Sequence, residues 1–185
     1  MTSSFITNHL PAIYLSLILT AAAAIDLRTQ RIPNFLTLPS ILIALVYYLM
    51  SDGTSGLLFS LAGLAAGIGL LLFPYLLGGM GAGDAKLMGA VGAMVGAQGV
   101  FISFLLTAVV GGIYALMLLA VKKQYFKGFL RSKLETLITF ILMRQYIPDA
   151  IPEKKHRPRL CYGLAIAMGS ITYIALDLTG YAFPI

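Results

Sequence analysis

Leu70-Leu71-Leu72-Phe73-Pro74-Tyr75-Leu76-Leu77-Gly78-Gly79-Met80-Gly81-Ala82-Gly83-Asp84-Ala85-Lys86 is an apolar run that breaks into glycine and ends on a carboxylate followed by a lysine. Beyond it, residues 87–97 carry no charge, so Asp84 is expected at or near membrane depth. A carboxylate there is costly, which makes Asp84 a functional-site candidate by default. The glycines of the break do not serve helix stability, since each costs about 1 kcal/mol against alanine in a helix interior. They suit a backbone that unwinds. The bland alternative is a solvated turn, because glycine clusters mark turns.

A second carboxylate bears on that choice. Asp26 closes the first apolar run, Ala21-Ala22-Ala23-Ala24-Ile25-Asp26-Leu27-Arg28, and Thr29-Gln30-Arg31-Ile32-Pro33-Asn34 follows. Two aspartates, each at the end of an apolar run, make a candidate dyad.

Composition sets the class. With 59% hydrophobic and 11% charged residues and a mean hydropathy of +0.90, the chain lies outside the range of soluble domains and reads as an all-α polytopic membrane protein. Its 185 residues fit one transmembrane domain. The net charge of +6 does not point to nucleic acid, because the bases flank apolar spans instead of forming a stripe on a soluble fold. Cys161 is the single cysteine, and only His9 and His156 join it, so no disulfide and no metal-ligand spacing is expected.

Six spans are expected, over residues 10–25, 35–50, 56–77, 85–97, 100–121 and 160–176. The first is no signal peptide, since no Lys or Arg precedes Arg28 and a signal peptide needs a basic leading segment. Several spans are shorter than the ~20 residues that a ~30 Å hydrocarbon core requires, but charge placement supports the count. Arg28 and Arg31, then Lys86, then the ten bases from Lys122 to Arg159 fall in every second connection, while the other segments hold only Asp52 and Asp177. The positive-inside rule then puts both termini outside, and Asp26 and Asp84 at the cytoplasmic face. Small-xxx-small patterns at Gly63-Leu64-Ala65-Ala66-Gly67 and Gly92-Ala93-Met94-Val95-Gly96 predict close helix packing in lipid. Between the fifth and sixth spans, Phe126, Phe129, Leu130, Leu134, Leu137, Ile138, Ile141 and Leu142 alternate with bases. That pattern predicts an amphipathic helix on the cytoplasmic surface, its bases facing anionic lipid or an acidic partner.

A carboxylate pair can hydrolyse a peptide without metal or cofactor. One ionised member takes a proton from water and the other, protonated, polarises the scissile carbonyl; two like charges held close share a proton. Exposed backbone beside Asp84 would suit an extended substrate, since irregular backbone at depth is tolerated where it lines a cavity.

At these residues the chain resembles the type IV prepilin peptidases. Gly81-Ala82-Gly83-Asp84 with Lys86 matches the family's GxGDxK form, and Asp26 with Arg28, Arg31, Ile32, Pro33 and Asn34 resembles its first motif. Arg157-Pro158-Arg159-Leu160-Cys161-Tyr162-Gly163-Leu164-Ala165 is similar to its final-helix proline, tyrosine and glycine segment, with three residues between the proline and the tyrosine. The resemblance implies an intramembrane aspartic endopeptidase of a prokaryotic inner membrane. Such an enzyme removes the short basic leader of pilin-like precursors on the cytoplasmic side, with Asp26 and Asp84 as the catalytic pair. Longer members also carry a four-cysteine zinc region and methylate the new amino terminus. This chain is similar to the short form, which implies peptidase activity without methyl transfer.

Gly81, Gly83, Lys86, Arg28, Arg31 and Asn34 take supporting roles in this expectation. Lys86 either stabilises an ionised Asp84 or snorkels to the interface, and the two arginines either anchor the topology or orient Asp26. Two other function classes fit the same residues: a small proton or solute transporter with Asp26 and Asp84 as relay carboxylates, and a noncatalytic assembly subunit. Shortening of a pilin-like precursor separates the peptidase from both.

Overall fold

The computed structural model describes residues 2–76, 79–121 and 161–179. Among them the structure is all-helical: α1 (Thr2–Thr29), α2 (Asn34–Leu76), α3 (Ala82–Val121) and α4 (Tyr162–Leu178). Three stretches, Leu10–Thr29, Asn34–Leu76 and Ala82–Met117, are long and apolar enough to cross a bilayer, with mean hydropathies of 1.9, 2.2 and 2.2; Tyr162–Leu178 is apolar but shorter. The chain divides into two compact units, Met1–Gly111 with Cys161–Ile185, and Gly112–Leu160. Of the second, the described part is the helical continuation to Val121. The amphipathic helix expected between the fifth and sixth spans lies outside the described residues.

The sequence predicts breaks near residues 51–55 and 98–99, and the structure places a single non-helical glycine near each. Gly53 has φ 63° and ψ −137°, and Gly96 has φ 77° and ψ 177°. Both lie in regions that side chains other than glycine's rarely adopt. Helix resumes at once on either side, so α2 and α3 are each two helical halves joined at a kink. Tyr48 and Phe59 would stand ~16 Å apart along a straight helix, yet their ring centroids are 5.1 Å apart. Likewise a Cβ built on Gly92 would come within 3.3 Å of Val100 Cγ2. Both helices therefore fold back at their glycine.

The first half of α3 is the centre of the packing. Leu87, Met88, Gly89, Ala90, Val91, Gly92, Ala93 and Met94 are all buried, as befits a helix that is apolar on every side. The second half of α2 runs antiparallel to it, because Gly63 packs on Gly92 while Gly67, one turn on, packs on Met88 and Gly89. A Cβ on Gly63 would collide with the Gly92 carbonyl, and one on Gly92 with the Gly63 carbonyl. The two small-residue patterns thus meet backbone to backbone, which glycine allows and a methyl group forbids. Helix α4 runs antiparallel to the second half of α3, with Gly169 against Thr107 and Ala165 near Gly111.

The break at Gly96 leaves the preceding carbonyls without their helical donors, and in an apolar setting such groups need partners. Ser60 Oγ donates to the Ala93 carbonyl at 2.8 Å and Tyr48 OH donates to that of Met94 at 2.6 Å. Outward-facing positions remain apolar: Leu17, Phe35, Leu42, Leu58, Phe73 and Leu76 are all exposed. A surface of that kind is stable against lipid tails and costly against water.

Candidate functional site

Helix α1 buries Leu15, Leu19, Ala22 and Ala23, a stripe at helical spacing that faces its neighbours. Asp26 is the next position on that stripe, one turn after Ala22, so the register that buries the alanines also buries the carboxylate, which is 5% exposed. Its Oδ2 accepts the Gly163 N–H at 2.9 Å. Gly163 is the second residue of α4, whose N-terminal amides have no partner inside their own helix. Cys161, at the N-cap, supplies no capping side-chain bond. Asp26 does so from another helix, where the positive end of the α4 dipole favours a negative group. Gly163 leaves no space to spare: a Cβ built on it would lie 2.9 Å from Asp26 Oδ2 and 3.0 Å from its Cβ and Cγ.

Asp84 is the third residue of α3 and is 8% exposed. Its Oδ2 accepts the Gly81 N–H at 2.9 Å while its own N–H donates to the Gly81 carbonyl at 3.1 Å. This is the reciprocal bonding of an N-cap with the third helical residue. The glycine-rich stretch is therefore split. Residues 79–81 are non-helical, whereas Gly83 is already in the helix. Gly83 is small for another reason: a Cβ there would meet Ile32 Cβ and the Ile32 carbonyl oxygen at 3.0 Å. The close seat of α3 on the α1–α2 connection, and not unwinding, accounts for that glycine.

The two carboxylates share one end of the bundle. Asp84 experiences the charge of Asp26, and the half-buried Tyr162, at the first turn of α4, experiences that of Asp84. At the same end Lys86 Nζ donates to Asn34 Oδ1 at 2.9 Å, which ties the start of α3 to the start of α2. The lysine thus reaches a neutral amide. Arg28 and Arg31 are exposed, turned out from the buried Asp26. Among the described residues no three His, Cys, Asp or Glu side chains converge as a metal site. Sequence reasoning did not single out the α4 amides. The available signal was a glycine two residues into a helix, where its low propensity asks for a packing reason.

Comparison with known proteins gives a consistent picture. The model of the type IV leader peptidase family matches residues 13–116, a stretch that contains Asp26 and Asp84. A prepilin leader peptidase/N-methyltransferase of Xanthomonas campestris pv. campestris is 38% identical over 114 residues, covering 55% of this chain and 38% of that protein. One of Aeromonas salmonicida is 35% identical over 123 residues, covering 63% and 42%. The match therefore spans about two-fifths of the length of these relatives. No solved structure matches.

Proposed function

Because this chain belongs to the type IV leader peptidase family, we propose that it is an intramembrane aspartic endopeptidase. In this reading Asp26 and Asp84 are its catalytic pair and the short basic leader of a pilin-like precursor is its substrate. The observation that carries the proposal is the pair itself: two aspartates far apart in sequence, both buried, each bonded to backbone N–H at a helix N-terminus, with Asp84 within reach of the charge of Asp26. One carboxylate takes a proton from the attacking water while the other, protonated, hydrogen-bonds to the scissile carbonyl. The apparent proton affinities belong to the pair, so neither role is assigned to one residue.

Counting the reversals at Gly53 and Gly96 as turns gives six crossings in a single membrane domain. The start of α2, the start of α3, the start of α4 and the end of α1 then lie at one face, which the bases at Arg28, Arg31 and Lys86 make cytoplasmic by the positive-inside rule. A proton relay is less well supported, since Asp26 and Asp84 sit together at one end and Asp52 lies beside the Gly53 break, so no ionisable path crosses the described helices. We assign these 185 residues the peptidase half of the activity that the relatives' names carry. Their single cysteine offers no four-cysteine site.

The test is cleavage of a precursor carrying a basic leader by purified protein in detergent, read by mass spectrometry. General acid–base assistance is worth about 10²–10⁴-fold per group, so Asp26→Asn and Asp84→Asn should each remove cleavage by that order. The double variant should be no worse than either single, because groups acting as one unit are not additive. Substantial cleavage by either Asn variant refutes the dyad. The product should carry an unmodified amino terminus when S-adenosylmethionine is supplied, and a methylated one would refute the assignment to the peptidase half alone.

A further inference from the structure

Asp84 is held by its own helix, through the Gly81 amide, but Asp26 is held by a different one. The Gly163 N–H and Asp26 Oδ2 are 137 residues apart in sequence and 2.9 Å apart in space, and the bond is buried. Nothing on α1 itself fixes the carboxylate so closely. Three atoms of Asp26 stand at 2.9–3.0 Å from where a side chain on Gly163 would begin, against an ordinary carbon–carbon contact of about 3.5–4.0 Å. The missing side chain of Gly163 is therefore the space that Asp26 occupies.

Resting on the dyad reading above, we propose that Gly163 is a positioning residue for Asp26. The start of α4 sets the height and orientation of that carboxylate relative to Asp84, by donating the Gly163 N–H and by presenting no Cβ. Two consequences follow from the geometry. The separation of the two carboxylates depends on how α4 sits on α3, where Gly169 meets Thr107 and Ala165 approaches Gly111. And a methyl group at Gly163 forces Asp26 to retreat by ~0.5–1 Å to restore normal contact, a displacement that at a reacting centre costs about 10²-fold in rate.

The effect separates from a merely structural one because substrate need not touch Gly163. Gly163→Ala, assayed as purified protein at matched folded amount on a precursor peptide with a basic leader, should lose about 10²-fold in kcat with KM changed less than about threefold. A kcat within threefold of the parent overturns the proposal, and so does a loss carried entirely by KM. Should Gly163→Ala fail to insert, a backbone ester at position 163, made by incorporating glycolic acid, removes the N–H without adding a Cβ. It should lower kcat by about tenfold, in line with losing one charge-assisted hydrogen bond, and an unchanged kcat would overturn the proposal equally. Parallel Asp26→Asn and Asp84→Asn proteins tell the two levels apart. If they still cleave, the dyad reading fails and this inference with it; if they are inactive while Gly163→Ala keeps its kcat, only the role of Gly163 fails.

Discussion

Gly92→Ala is expected to destabilise the protein by about 2 kcal/mol, within the 1–3 kcal/mol typical of overpacking. The new Cβ would collide with the Gly63 carbonyl oxygen and stand 2.7 Å from its carbon, so the two helices must part by about 1 Å to reach a normal contact near 3.5–4.0 Å. A gap of that size forfeits a quarter to a half of each ~0.1–0.2 kcal/mol contact. Over a seam of some tens of atom pairs that again gives about 1–3 kcal/mol. Gly63→Ala should cost a similar amount, for the same reason seen from the other helix. The double variant should cost clearly less than the sum, since one separation accommodates both methyl groups, giving a coupling of about 1 kcal/mol or more. Cys161, the single cysteine, is 8% exposed, so its reaction with a thiol-reactive dye during a thermal ramp in detergent reports unfolding without engineering. At roughly 2–4 °C per kcal/mol for a chain of this size, each single variant should lower Tm by about 4–8 °C. Gly69→Ala is the control: nothing lies within 4 Å of its Cβ position, and it should hold or raise Tm through helix propensity. Single variants within 0.5 kcal/mol of the parent, or a strictly additive double, would refute the backbone-to-backbone contact.

Two further outcomes can be checked with the same protein. Lys86→Ala removes one exposed bond to Asn34 and should cost no more than about 1 kcal/mol, leaving cleavage within tenfold of the parent; a loss as deep as that of Asp84→Asn would mean that the lysine acts on the dyad itself. In a Cys161→Ser background, Ser51→Cys or Ser55→Cys, both at exposed positions beside the Gly53 break, should react with an impermeant thiol reagent added outside the cell, whereas Ser132→Cys should not. The reverse pattern would invert the proposed topology and move the candidate site to the outer face.

Much of the architecture is local information. Apolar runs, their glycine punctuation and the small-residue patterns are properties of neighbouring residues, and hydropathy alone places helices near all of them. The breaks at Gly53 and Gly96 fall close to where residues 51–55 and 98–99 lose their apolar character, and the pairing of Gly63 with Gly92 joins two patterns visible in the sequence. Placing Asp26 and Asp84 at one end also follows from counting spans and charges, since the number of crossings between two residues decides which face they share.

What the tertiary structure decided lies in contacts between segments that the chain does not place side by side. No periodicity states that Gly83 is small because Ile32 lies against it, that Lys86 reaches Asn34, or that the Gly163 amide closes over Asp26. The local cost of a glycine in a helix is readable, but the identity of the backbone that needs its space is not. Nor does a motif reveal that Asp84 is bonded by its own helix while Asp26 depends on another. That asymmetry arises because α1 ends with Asp26 on its buried stripe, facing the unpartnered amides of a helix that begins more than a hundred residues later, and a hydrogen bond at 2.9 Å exists only once the two ends have packed.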